Sequence, residues 1–302
     1  MKREITRRDF TKLLGMGAVA MASPIDLLAA KKRKIKIGHT GITWSNKNIE
    51  EAISEVSSEG FYGFETFGEV FDAWESKPGG LGAVLQAKNL PLISAYCGMN
   101  LTDPEKRKDE VAKAVRWAGI VKKYDGKIMV IGPNGVRRNT YDFAANKDNI
   151  VAALNDICQA VTDAGLTAVL HQHTGTCVES RDETYAVLQA VNTKYVRFGP
   201  DIGQLTKGGS DAVKVVTDFL PIVEHMHLKD WNGENQHLSG YCPLGQGKVD
   251  IPAILDLVEK KKKIKGMVMV ELDNDGRTDL VPLDLVKTSK AYLVKLGVTF
   301  RS

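Results

Sequence analysis

Cysteine is scarce and scattered: Cys97, Cys158, Cys177 and Cys242 are the only four, and no two form a CxxC pair. That excludes a disulfide-stapled scaffold and a thiolate zinc ribbon, and reads as free thiols. A long apolar run is lacking too, because the mildly apolar stretch from Leu13 to Ala22 falls well short of the ~20 residues that span a bilayer. Charge of one sign is missing as well: 41 Lys and Arg face 37 Asp and Glu, a formal net charge of +4. The basic clusters Lys31 to Lys34 and Lys260 to Lys263 have no aromatics between them. They read as solvated faces, and no nucleic acid is expected as a partner. With 43% apolar and 26% charged residues, the chain can bury a large core, which excludes disorder and fibres.

The first residues are an address. "REITRRDFTKLLGMGAVAMASP" runs from a charged segment through Leu13 to Ala22 and ends near Ala20-Met21-Ala22, the layout of a secretory signal. Within it "TRRDFTKLL", with Arg7-Arg8, Phe10 and Lys12, resembles a bacterial twin-arginine signal. Residues 1–30 are therefore expected to be a cleavable signal peptide, cut after Ala22 or Ala30, and residues 31–302 the working domain. The resemblance implies export of a folded protein by the twin-arginine translocation machinery to the periplasm or beyond.

From Lys34 onward, β-branched runs alternate with helical patterns. Strands are predicted at 35–39, 62–66, 91–96, 127–131, 166–171, 195–200, 224–229 and 266–271. Helices are predicted at 49–59, 78–88, 104–123, 147–164, 180–191, 210–219, 251–262 and 282–296, with start signals such as Asp103-Pro104 and Asp250-Ile251-Pro252. Eight strand–helix rounds match a single closed (β/α)8 TIM barrel, for which ~250 residues is typical. A doubly wound open sheet is the alternative. In a barrel the reactive groups gather at the C-terminal strand ends. Of the six histidines, His39, His171, His173, His225 and His227 fall at or just after strand ends, and His237 lies in the loop after the seventh strand.

Strand parity sharpens this, since alternate side chains point inward. In "EHMHLKD", His225, His227 and Lys229 share one face, with Met226 and Leu228 on the other. In "MVMVELD", Glu271 and Asp273 face together, and Asp201 ends "VRFGPD" on the face of Arg197 and Gly199. "VLHQHTGTC" adds His171 and His173. His171, Asp201, His227 and Glu271 on four adjacent strands make a ligand set for a divalent metal such as Mn2+, Co2+, Zn2+ or Fe2+.

"FGPDIGQL", "HMHLKDWN", "PLGQGKVDIPAIL" and "MVMVELD" resemble the second half of the xylose-isomerase-like barrels, the sugar phosphate isomerase/epimerase superfamily. "KIGHTGITWSN", "GFYGFET" and "HQHTGTCVE" resemble its inosose dehydratase branch and the related enzymes acting on 3-keto-glycosides. The resemblance covers essentially the whole mature chain. It implies metal ligands at Asp201, His227 and Glu271, with His171 where epimerases usually carry glutamate, and a divalent ion, Mn2+ or Co2+ before Zn2+, Fe2+ or Mg2+. It also implies a carbohydrate-processing enzyme of dehydratase, lyase or isomerase type, acting on a keto-sugar, cyclitol or 3-keto-glycoside by proton abstraction beside a metal-polarised carbonyl. His173, Lys229 and Glu271 are then the candidate acid and base groups. His39, Trp44, Glu65 and Trp231 are the candidate substrate contacts, and Tyr241 joins the two tryptophans as a ring able to stack on a sugar. "PLGQGKVD" reads as a tight Gly-bearing connection rather than a phosphate cradle. A ketose 3-epimerase or aldose–ketose isomerase, and a non-catalytic carbohydrate-binding barrel, are the alternatives. The partner expected is a small-molecule carbohydrate, and a homo-oligomer is compatible with the sequence.

Overall fold

The computed structural model describes residues 32–233, 238–261, 263–273 and 280–302; the expected signal peptide, residues 1–30, and His237 lie outside them. Seven strands come first: β1 (Ile37–Thr40), β2 (Phe64–Phe67), β3 (Leu92–Met99), β4 (Ile128–Pro133), β5 (Thr167–Leu170), β6 (Val196–Phe198) and β7 (Met226–Leu228). A two-residue antiparallel ribbon, β8 (Asp230–Trp231) with β9 (Tyr241–Cys242), interrupts the next connection, and β10 (Val268–Val270) follows. Apart from the ribbon, the strands pair in parallel in the order β6-β5-β4-β3-β2-β1-β10-β7. The pairing of Ile37 with Val268 joins the first strand to the last, which an open sheet does not do. Parallel bridges Phe198–Val223 and Asp201–His227 then link β6 to β7, so the barrel is nearly closed. The fully buried run of β4 reflects a sheet covered on both faces.

The helices are α1 (Ile49–Ser58), α2 (Gly68–Trp74), α3 (Gly80–Ala87), α4 (Arg107–Lys123), α5 (Phe143–Asp163), α6 (Arg181–Ala190), α7 (Ile202–Lys207), α8 (Ala212–Phe219), α9 (Ile251–Lys260) and α10 (Pro282–Lys295). Their starts follow local chemistry. Ser180 and Glu183 form a reciprocal capping box at α6, and the Asp250 carboxylate accepts from Ala253 N with Pro252 in the first turn of α9. Asp103-Pro104 behaves otherwise: Asp103 Oδ1 accepts from Glu105 N at 3.0 Å, closing a turn, and α4 begins only at Arg107. The short α2 and α7 fall between the predicted strands and helices, because six or seven residues are too few to show a 3.6-residue period.

The expected parity holds. Met226 and Leu228 join the main core between strands and helices, whereas His225, His227 and Lys229 are buried on the opposite face. Inside the barrel, Ile128, Val130 and Val169 pack together with Tyr96 against them, forming an apolar floor beneath the polar groups. The "PLGQGKVD" loop is structural as expected: Asp230 Oδ2 accepts from Gly245 N and Gly247 N, and its Oδ1 from Trp231 N and Val249 N. Gly245 takes φ +86° there, and a Cβ would strike the Tyr292 ring at 2.3 Å.

Candidate active site

Each charged group is delivered by a strand end. The His171 N–H just past β5 bonds to Ile131 O at 3.0 Å, and the Glu271 N–H just past β10 bonds to Leu228 O at 3.1 Å. Asp201 caps α7, with Oδ1 accepting from Gln204 N at 2.9 Å, which leaves Oδ2 facing the barrel axis and Lys229. His227 Nδ1 stands 3.0 Å from Glu271 Oε2 and its Nε2 stands 2.7 Å from Glu65 Oε1. Neither approach is aligned for a hydrogen bond, and Nδ1 of His171 and Oδ2 of Asp201 are likewise without one among the described residues. Burial alone would lower the His227 pKa, but Glu271 and Glu65 raise it well above the usual imidazole value, and buried polar atoms left without hydrogen bonds in this way suit a cation that would replace a proton. His171, Asp201 and His227 each offer an atom within 4.8 Å of the others, and Glu271 joins them through His227. Two imidazoles and two carboxylates are a chemically suitable divalent set.

Lys229 is fully buried among three carboxylates: Asp201 Oδ2 at 3.1 Å, Glu271 Oε1 at 2.7 Å and Asp273 Oδ1 at 2.9 Å. Burial alone would lower its pKa, but Asp201, Asp273 and Glu271 outweigh that and raise it well above the ordinary lysine value, so the ammonium keeps its charge. For Glu271 burial pushes upward, and the charges of His227 and Lys229 overcome it, holding the carboxylate ionised. His171 is driven well below the usual imidazole range, by burial first and then by His227, and is therefore neutral with a lone pair to give. Asp201 is raised, chiefly by burial.

Of the other expected residues, His173 sits half-buried beside this group. Its Nδ1 lies 2.7 Å from Thr174 O and its Nε2 lies 2.7 Å from Gln204 Nε2. Gln204 Oε1 accepts from both Thr174 N and Thr174 Oγ1, so its amide is turned with the NH2 toward His173. Tyr241 is nearly buried, with the ammoniums of Lys207 and Lys229 each 4.7 Å from its ring. Trp231 packs half-buried against Leu238, Tyr241 and Leu272.

Three expected substrate contacts, His39, Trp44 and Glu65, are buried with protein partners. His39 is wedged edge-on against Trp44 and Phe61, with Nδ1 2.7 Å from Thr40 O. Trp44 is buried and donates Nε1–H to Glu55 Oε2 at 2.6 Å, so its ring offers no stacking face. Glu65 is fully buried with Oε2 accepting from Ser94 Oγ at 2.5 Å and facing His225 Nε2 at 2.9 Å. Parity also held a signal left unused, since Ser94 and Tyr96 alternate on β3 and both enter the interior, Tyr96 edge-on to His171 at 5.5 Å. Gln204 had no such signal, because α7 was not legible.

Residues 53–296 match the sequence pattern of the xylose isomerase-like TIM barrel. The chain belongs to that family. It is 24% identical over 276 residues to an inosose dehydratase of Clostridium botulinum, covering 80% of this chain and 91% of the relative. It is 26% identical over 300 residues to the inosose dehydratase of Mesomycoplasma hyopneumoniae strain J, covering 88% and 97%. Among solved structures, the IOLI protein with a binding zinc atom superposes with a TM-score of 0.70 at 16% identity, over 87% of this chain and 98% of that one. Escherichia coli 3-keto-D-glucoside 4-epimerase gives 0.66 at 17% identity, over 87% and 99%. The structural likenesses show the shared barrel fold.

Proposed function

We propose that this protein is an exported, divalent-metal-dependent lyase or isomerase acting on a keto-sugar, cyclitol or 3-keto-glycoside. The observation that carries the reading is the buried set of His171, Asp201, His227 and Glu271, in which Nδ1 of His171 and both ring nitrogens of His227 have no hydrogen-bond partner among the described residues. A zinc-bearing structural neighbour and inosose dehydratase relatives support it. Those four side chains would hold Mn2+, Co2+ or Zn2+, which when bound polarises a carbonyl and offsets the negative charge that develops on its oxygen.

The chain's own groups supply the rest. Lys229, kept cationic by its three carboxylates, donates a hydrogen bond to the carbonyl or the departing oxygen. His173 commits its Nδ1–H to the Thr174 carbonyl, which leaves Nε2 as its only lone pair. In this scheme His173 releases the Gln204 amide to take the proton beside the carbonyl, and Glu271 is the second proton-handling group. The twin-arginine-like segment supports export and favours an unphosphorylated, scavenged glycoside over an intracellular sugar phosphate.

Purified protein supplied with Mn2+ or Co2+ is expected to consume an inosose or a 3-keto-glucoside. A product lighter by water marks elimination, and an unchanged mass marks epimerisation or isomerisation. Asp201→Asn and Glu271→Gln are each expected to lose at least a hundredfold in turnover together with bound metal. Wild-type turnover by both variants would sink the assignment.

A further inference from the structure

The barrel interior holds a second trio of buried groups, Glu65, His225 and His227, whose ligand atoms also lie within 4.8 Å of one another. Its hydrogen bonds argue against a second metal. The Met267 N–H donates to His225 Nδ1 at 3.2 Å, so a neutral His225 carries its proton on Nε2, which points at Glu65 Oε2 at 2.9 Å. Ser94 Oγ donates to that same oxygen at 2.5 Å. Oε2 is thus occupied twice over, and Glu65 has only Oε1 left, 2.7 Å from His227 Nε2. At that distance the Oε1 charge favours a proton on Nε2, just as Glu271 Oε2 does on Nδ1, and a metal held by the ligand set would displace the Nδ1 proton alone. The opposite ring nitrogen, Nδ1, faces Glu271 at 3.0 Å, on the side of the ligand set.

We infer that Glu65, held by Ser94 and His225, is a positioning residue that keeps the proton of His227 on Nε2 and so presents Nδ1 to the metal. The inference rests on metal binding at His171, Asp201, His227 and Glu271. Carboxylates that orient a ligating imidazole typically account for 10–100-fold in metal affinity. Glu65→Gln is isosteric but has a single acceptor oxygen. If that oxygen stays with Ser94 and His225, the amide NH2 faces His227 Nε2, and the proton is forced onto Nδ1, where the metal belongs.

The test uses the full chain with histidines labelled in 15N. Zn2+ affinity by calorimetry is expected to fall 10–100-fold in Glu65→Gln. In wild-type protein loaded with 113Cd2+, one-bond coupling to the metal is expected at Nδ1 of His227 with Nε2 protonated, a readout that needs no variant. A wild type that binds neither ion overturns both this inference and the metal reading. Metal bound with coupling at Nε2, or a Glu65→Gln protein of wild-type affinity, overturns the role of Glu65 alone.

Discussion

His39 allows a direct energetic test of its place in the interior. It is 1% exposed, and burial lowers its pKa from 6.5 to about 4, against the opposing pull of the Thr40 carbonyl and the Glu271 charge. Between those two values the unfolded chain binds the proton and the folded one does not. The contribution is therefore complete above pH 6.5 and is lost as pH falls toward 4. At pH 4.5 the loss comes to about 2.5 kcal/mol, since each unit below the unfolded pKa costs about 1.4 kcal/mol until the folded pKa is approached. The perturbation is His39→Gln, and the assay is urea unfolding of both proteins at pH 7.5 and 4.5. The variant forfeits packing against Phe61 and Trp44 at both values, so that loss cancels in the difference. So does the titration of the other buried histidines, His171 and His225, which are also pushed down by burial. Wild type is expected to lose about 2.5 kcal/mol more than the variant on acidification. Equal losses, or an NMR titration of His39 centred near 6.5, would refute the burial argument and return His39 to the solvent-facing rim.

Two further outcomes follow from packing. Asp230→Ala strands three backbone N–H groups of the loop between β9 and α9 and that of Trp231 in β8, and is expected to cost about 3 kcal/mol or more in chemical denaturation; a loss under 1 kcal/mol would mean the loop holds itself. Gly132→Ala places a Cβ 2.0 Å from Tyr96 Oη and must displace the ring that meets His171 edge-on. The expected cost is about 1–3 kcal/mol. A crystal structure of the variant with Tyr96 unmoved would contradict it.

Much was legible before any coordinates. Parallel strands bury both faces, so β-branched runs stand out against amphipathic helices, and all eight barrel strands fall where the pattern predicts them. Parity then determined that His225, His227 and Lys229 point inward while Met226 and Leu228 meet the helices, because successive side chains on a strand cannot do otherwise. Asp201, His227 and Glu271 sat at strand ends for the same local reason. Tertiary structure alone decided what those groups meet. Glu65, on β2, lies 160 residues from His225, and Trp44 finds Glu55 only after the chain turns back on itself. Lys229 acquires its three carboxylates only when β6, β7 and β10 converge. Local alternation sets the direction of a side chain; the closure of the barrel sets its partner, and so seats Glu65 against Ser94, His225 and His227.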